Sequence, residues 1–304
     1  MKNYNFILLT LVLTLFFNAC KTINQKASGS DFPALENRYF GQKLPGLIPE
    51  VFAPEMLSPK ESFQGGMFSQ DMKEFYFVRK KDGYKERSFF VVRYENNSWG
   101  KEANTDIKWP RFSEDGNTMY VGKEQRKRTD TGWSEPKSLG EFLKNQAHGL
   151  SVSSKETYYY AVYKKEDNNI NGKLYYCPLE KGKYENPVRM NADMNKGEYI
   201  AHPLIAPDES YLIWDVRREG GYGQADLYIS FKQNDKEHPW SSPINMGPTI
   251  NSGMQESSPM VTQDGKYLFF NRGEWIQKED GKTYYVGKNH WVDAKVIENL
   301  RPKQ

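Results

Sequence analysis

The sequence predicts an all-β fold, a single propeller of four-stranded blades, and three observations predict it. One short phrase with the grammar of a β-hairpin recurs five times at blade-sized intervals. No long stretch carries the 3.6-residue apolar period of a helix. Aromatic residues make up 14% of the 304 residues, and they gather in short β-prone runs bounded by Ser, Asp and Gly.

Taken in chain order, residues 1–19 read as a signal peptide. Lys2 supplies a positive start, the apolar run from Phe6 to Phe17 is too short to cross a bilayer, and Asn18-Ala19 form a small-residue site before Cys20. The stretch from Leu15 to Cys20 resembles the lipobox of bacterial lipoproteins, with Phe17 where an aliphatic residue is usual. That resemblance implies that Cys20 is the acylated mature N-terminus, which would fix the chain to a membrane of the cell envelope, the outer membrane by expectation, facing either side. An ordinary signal peptide with an incidental cysteine is the alternative. Residues 20–38 are polar, include a Gly-Ser pair, and read as a tether. The propeller is expected over 39–304.

Within that body the formal charge of +3, from 42 basic and 39 acidic residues, offers no basic footprint for nucleic acid. With Cys20 spent on lipid, Cys177 has no cysteine partner, so stability has to come from a large core.

The hairpin phrases are GGMFSQDMKEFYFVR, WPRFSEDGNTMYVGK, HGLSVSSKETYYYAVY, AHPLIAPDESYLIWDVR and SSPMVTQDGKYLFFNR. In each, a short apolar strand enters a tight turn and an aromatic strand returns. The turns begin at Ser69, Ser113, Ser153, Ala206 and Thr262, which lie 44, 40, 53 and 56 residues apart. Third strands follow at Arg87 to Tyr94, Lys173 to Leu179 and Ala225 to Phe231. Outer strands follow in NSWGKEAN, GWSEPKSL, KYENPVRM and PWSSPINM. The last unit lacks an outer strand while PEVFAPEMLS near the start is spare, so the first strand is expected to complete the last blade. The count is five blades, or six if the interval from Gly197 to Gly253 hides a degenerate one.

Repeats of the form Pro-x-x-Ser-x-Asp-Gly-Lys before a Tyr/Phe-rich strand, followed by Asp-Leu-Tyr-Ile-Ser, resemble the TolB-type, WD-repeat-like propeller family. The likeness covers most of Phe63 to Gly287 and is best at Pro259 to Phe270 and Asp226 to Ser230. The unit at Ser153 lacks both the Pro and the Asp-Gly. The resemblance implies six blades, against the five that the repeats count, and a binding platform rather than a particular chemistry.

In a propeller the inner strands start around one mouth of the central channel. Aligned repeats put Gly65, Trp109, His148, His202 and Ser258 there, with Glu256 just before. The returning strands bring Arg79, Lys123, Tyr163, Val216 and Arg272 to the same face. Trp109, His148, His202, Glu256, Arg79, Lys123 and Arg272 are therefore the candidate ligand residues, a set suited to an anionic or carbohydrate-like ligand. The competing and favoured account makes the cations solvated rim charges, the histidines partners for backbone groups, and Trp109 a packing residue. Asp71, Asp115, Asp208 and Asp264 lie in the opposite turns and are read as turn-makers.

No catalytic residue is assigned. Glu198 and Glu256 are the only mouth carboxylates, short of the distinguished pair that glycoside hydrolysis needs. No Gly-x-Ser-x-Gly elbow or phosphate loop occurs. Asp167 to Gly172 starts like a calcium loop but has Pro178 where the bidentate glutamate belongs. The four histidines show no zinc spacing, and His238 falls on an outer connection. Neither a metal nor a cofactor is expected. The reading is a non-catalytic envelope module that binds an envelope protein or a cell-wall glycan. A carbohydrate-active or other hydrolytic enzyme working at the mouth is the alternative.

Overall fold

All five phrases fold into the same hairpin, because each turn satisfies its own backbone in the same way. In the computed structural model, which describes residues 32–34, 37–54, 62–81, 86–140, 147–163, 172–277, 279, 281 and 283–303, the fourth turn residue donates to the carbonyl of the first. These bonds run from Met72 to Ser69, Gly116 to Ser113, Glu156 to Ser153, Glu209 to Ala206 and Gly265 to Thr262, at 2.8 to 2.9 Å. That fourth residue is left-handed in every blade. Three blades accept a side chain there, at a backbone cost of about 1–2 kcal/mol each. Glu156 and Glu209 use that side chain to reach a neighbouring blade, accepting from Tyr120 at 3.2 Å and from Ser153 at 3.0 Å.

A short strand, β1 (Glu50–Val51), precedes the repeats. Blade 1 comprises β2 (Ser62–Phe68), β3 (Glu74–Lys81), β4 (Glu86–Glu95) and an outer strand in two pieces, β5 (Ser98–Trp99) and β6 (Ala103–Asn104). Blade 2 comprises β7 (Arg111–Phe112), β8 (Thr118–Val121), β9 (Glu124–Thr129), β10 (Gly132–Trp133) and β11 (Lys137–Ser138). Blade 3 has β12 (Ala147–Val152), β13 (Tyr158–Val162) and β14 (Lys173–Cys177), a small hairpin of β15 (Leu179–Glu180) and β16 (Lys183–Tyr184), and outer β17 (Val188–Arg189). Blade 4 is β18 (Glu198–Ile205), β19 (Tyr211–Arg217), β20 (Asp226–Phe231) and β21 (Ile244–Asn245). Blade 5 is β22 (Gln255–Val261), β23 (Tyr267–Gln277) and β24 (Thr283–Asp293), and a short helix, α1 (Lys295–Glu298), follows.

Ring closure is as the repeats imply. β1 pairs antiparallel with β24, Glu50 opposite Trp291 and Val51 opposite His290, so the N-terminal strand becomes the fourth strand of blade 5. The count is five blades, which corrects the six that the family resemblance implies. The long interval from 197 to 253 holds blade 4 alone, and its extra length goes into the segments on either side of β21.

The core lies between the blades. Phe52, Phe68, Phe75, Phe269 and Trp291 are 3% exposed or less and pack ring against ring around the closure, with Phe52 and Phe269 centroids 4.7 Å apart. Burying each such side chain is worth about 1.5–3 kcal/mol. A second large cluster centres on Trp214 between blades 3 and 4, and a third on Leu268 and Phe270 between blades 4 and 5. Cys177 is buried with its Sγ against the Glu185 carbonyl at 3.0 Å, and burial pushes its thiol up to about 11.

Packing begins before residue 39, where composition alone sets the start of the propeller. The Arg38 guanidinium is buried over the Phe32 ring, donates to the Pro33 carbonyl and pairs with Asp264 at 3.1 Å. The end of the expected tether is thus docked on blade 5, because Asp264 offers it a buried carboxylate. The signal peptide, Cys20 and the rest of the tether fall within residues 1–31, outside the described residues, as does most of the calcium-like loop, residues 164–171.

Candidate functional site

At the channel mouth a second set of left-handed residues appears, one per blade and four residues before each turn. They are Gly65, Trp109, Gly149, His202 and Ser258, with φ between 43° and 62°. In four blades this residue sits at a register shift in the inner hairpin, or next to one, and in blade 2 it stands two residues before the strand. The bulge turns the chain from the channel into the inner strand. Successive bulges also touch. A Cβ on Gly65 would run into the Trp109 ring, and one on Gly149 into the His202 backbone. In addition, Asn271 accepts from the Gly65 amide at 3.1 Å and Asp215 from the Ser258 amide at 3.1 Å, each bond joining one blade to the next.

This geometry moves one candidate. In blade 3 the mouth position belongs to Gly149, and His148 is its neighbour in β12, with its backbone paired to Ala161. The missing side chain decides the register, since only glycine admits the His202 backbone there. The His148 side chain lies outside the description.

Three further candidates are tied into the framework. Glu256 is fully buried and accepts from the Ser252 amide at 3.0 Å, the Ser252 hydroxyl at 2.6 Å and Arg272 Nε at 2.8 Å. Arg272 also donates to the Ile250 carbonyl at 2.9 Å, so the pair serves to anchor the approach to blade 5. Arg79 turns outward along its blade, over the Phe77 and Phe90 rings, to pair with Glu102 between β5 and β6. These three therefore depart from the expected ligand set, because a buried cation or carboxylate at a strand end is satisfied within the protein. Lys123 is the exposed second residue of the tight turn between β8 and β9, as a rim charge would be.

Trp109 and His202 remain at the opening. Trp109 is 39% exposed and edge-on to Phe89, with centroids 5.7 Å apart. His202 Nδ1 lies 2.9 and 3.2 Å from the two oxygens of Asp215, which is 2% exposed. Because a carboxylate only accepts, Nδ1 carries the proton. Burial alone would lower the imidazole pKa, and the charge of Arg111 also lowers it. The Asp215 charge and hydrogen bond outweigh both and hold it above its ordinary value.

The reading from sequence missed Asp215 and Arg111. Both were within reach of the same column logic. Two residues before each turn stand Met67, Arg111, Ser151, Leu204 and Met260, where a lone arginine among apolar and small residues is the signal. Nine after each turn stand Val78, Gly122, Val162, Asp215 and Asn271, where the only carboxylate is Asp215. Arg111 borders a water-sized cavity together with Gly65, Met67, Trp109 and Met260.

Around the opening the rim is apolar and largely aromatic. Tyr199 (39%), Tyr222 (48%), Met254 (42%) and Trp275 (53%) are exposed, all at the channel-mouth ends of their strands or in the adjoining connections. Trp275 donates to Gln255 Oε1 at 2.8 Å, and the Gln224 amide donates to the Met254 carbonyl at 2.9 Å, so the rim runs without a break from blade 4 to blade 5. Arg217 lies over the Tyr199 ring and pairs with Glu198 at 2.7 Å. Among the described residues, no group of three or more His, Cys, Asp or Glu could hold a metal ion, and no helix is long and apolar enough to cross a membrane.

No protein-family model matches the chain, and neither does any curated protein. Solved structures similar to it are propellers of low identity. TolB from Acinetobacter baumannii gives a TM-score of 0.43 at 12% identity, over 77% of this chain and 57% of that one. A thermostable family-43 glycoside hydrolase gives 0.44 at 11%, over 77% and 89%. The β-propeller domain of the Trilobed protease from Pyrococcus furiosus gives 0.33 at 11%, over 75% and 71%. The chain spans a little over half the length of the TolB structure. The fold of this chain is read from its own strand order.

Proposed function

We propose that this chain is an exported lipoprotein of the TolB-type repeat group, held at the envelope by lipid on Cys20, whose propeller is a non-catalytic binding module with the channel mouth as its working face. The observation that carries the reading is the exposed apolar rim of Tyr199, Tyr222, Met254 and Trp275 around an opening built from strained backbone. Exposed apolar side chains gathered on one face mark an interaction surface, and left-handed residues bearing side chains gather where function holds them. The mouth carboxylates fit binding better than hydrolysis. Glu256 is bonded to Arg272, Glu198 to Arg217 and Asp215 to His202, so none stands as an unengaged acid beside an ionised partner.

The test uses the full-length protein in detergent and its cosedimentation with purified cell-wall sacculi. Joint replacement of Tyr199, Tyr222 and Trp275 by Ala is expected to weaken binding at least tenfold while thermal unfolding stays put. Unchanged cosedimentation would remove the mouth from the account. The anchor is tested separately: Cys20→Ser should abolish incorporation of a labelled fatty acid and release the protein from membranes.

A further inference from the structure

The chain ahead of the propeller is clamped to one end of it. Arg38 pairs with Asp264 at 3.1 Å and donates to the Pro33 carbonyl, and the Tyr39 hydroxyl donates to the same carboxylate, which stands in the inner turn of blade 5. One residue earlier, the Asn37 carbonyl accepts from Trp99 Nε1 at 2.7 Å, and the Phe40 ring lies 4.5 Å from that of Trp99, in blade 1. Residues 37–40 therefore span the seam between the last blade and the first. Gln42 continues the grip, donating to the Val51 carbonyl at 2.9 Å and accepting from the Ala53 amide at 2.6 Å. Tyr39, Phe40 and Gly41 are left-handed in succession, with φ of 57°, 60° and 69°. Such backbone persists only where its surroundings over-determine it, so the segment is held in place by these contacts.

The clamp decides where the chain enters. Phe32, with its ring 4.9 Å from the Arg38 guanidinium, lies at the turn end beside Asp264, and Cys20 stands only twelve positions ahead of it. A chain of that length covers about 40 Å at full stretch and about 20 Å as a relaxed coil. To reach the mouth side it would have to pass along blade 5, whose β23 has 11 residues and is about 36 Å long, and cross part of that blade's width as well. The mouth side therefore demands a fully stretched chain, whereas the turn side is within reach at any extension.

We propose that this clamp sets how the protein stands on its membrane: the turn end faces the lipid surface that holds Cys20, and the channel mouth faces away from it. The inference rests on Cys20 being the lipid anchor and adds the orientation of the working face. It also narrows what that face meets. The apolar rim of Tyr199, Tyr222, Met254 and Trp275 is carried away from the anchoring bilayer, so it serves a partner that stands off that membrane and not the bilayer itself.

The experiment is energy transfer in vesicles of phosphatidylethanolamine and phosphatidylglycerol that carry the full-length acylated protein and a lipid-bound acceptor dye. The donor dye is placed on Ser154→Cys, exposed in the turn of blade 3, or on Glu219→Cys, exposed in the mouth connection of blade 4, while the buried Cys177 stays unlabelled. Transfer from the Ser154 site is expected to be at least about threefold that from the Glu219 site. Arg38→Met, which gives up the grip on Asp264 and Pro33, should lower that ratio. Insertion of about thirty Gly and Ser residues after Ser30 should bring it close to one, and so covers a failure of Arg38→Met to fold. Equal transfer from the two sites, greater transfer from the Glu219 site, or a ratio that the insertion leaves unchanged would overturn the proposal while the anchor stands. Failure of the anchor shows differently: protein whose Cys20 carries no fatty acid stays off the vesicles with either label, and the anchor reading then falls and the orientation with it.

Discussion

The two ends of the propeller are built from the same five hairpins and behave differently. At the turn end each blade repeats one local solution. Asp71, Asp115, Asp208 and Asp264 each accept from a backbone amide two residues on, at 2.9 to 3.2 Å. At the mouth the five equivalent positions carry Gly, Trp, Gly, His and Ser, and their contacts differ: the Gly65 amide donates to Asn271 and the Ser258 amide to Asp215, each in another blade, while the His202 side chain pairs with Asp215 in its own. The turn end is thus a periodic scaffold and the mouth is where the blades diverge. Divergence on a common frame is how a repeat architecture acquires a site.

That contrast is broken most sharply at Asp264, where the turn end is not local at all. Asp264→Ala strips a turn and also leaves Arg38 buried without its partner, so a loss of about 3 to 5 kcal/mol is expected. Asp208→Ala in the neighbouring blade, where the carboxylate is exposed and bonds only the Ser210 amide, should cost about 1 kcal/mol or less. Chemical denaturation of the two variants measures the difference, and equal losses would mean that the docked N-terminal segment contributes nothing.

Next in size is Gly149→Ala at the mouth. It adds a methyl group against the His202 backbone at a left-handed position and should cost about 2 to 3 kcal/mol by the same measurement. A cost near zero would show that the bulges of blades 3 and 4 are not in contact in solution.

The two described histidines with shifted pKa values sharpen the comparison through pH. His290, on the closing strand pair, is held down at about 4 by burial first, with the Arg272 and Lys288 charges adding, against an ordinary 6.5. The unfolded chain takes up that proton first, so stability falls as pH drops from 6.5 toward 4, and His290→Phe should flatten that limb of the denaturation profile. His202 at the mouth is shifted the other way. Its contribution is complete below 6.5 and is lost as pH rises through its folded value. In Asp215→Asn the raised value should disappear, and NMR titration of the His202 ring protons should show its midpoint falling below that of the native protein. A midpoint unmoved by the substitution would separate the imidazole from Asp215.

The smallest expected effect is on the rim. Trp275→Ala removes a 53% exposed ring and should change stability by less than about 0.5 kcal/mol, leaving any loss of binding attributable to the surface itself.

Much of this architecture was readable before any coordinates. The turns at Ser69, Ser113 and Thr262, the third strands and the closure by residues 50–51 all follow from local turn chemistry and from a period that one alignment exposes. The blade around Ser153 was readable too, even without Pro or Asp-Gly, because its turn keeps the same hydrogen bond. The mouth was readable only as a list of positions. Trp109 and His202 occupy the left-handed positions of their blades, whereas the aligned column put His148 where blade 3 has Gly149. It also credited Glu256, Arg272 and Arg79 with facing the channel. Nothing local tells a cation that pairs with a carboxylate 16 or 23 residues away from one that stays unpaired.

The sequence by itself therefore determined the blade, its turns and the ring they close into. Each of these depends on interactions between residues a few positions apart, or on a repeat that copies them. Only the tertiary structure decided which mouth residues are spent on holding blades together and which are left over. That choice depends on contacts between blades, such as the Gly65 amide with Asn271 and the Ser258 amide with Asp215, and no local pattern records such contacts.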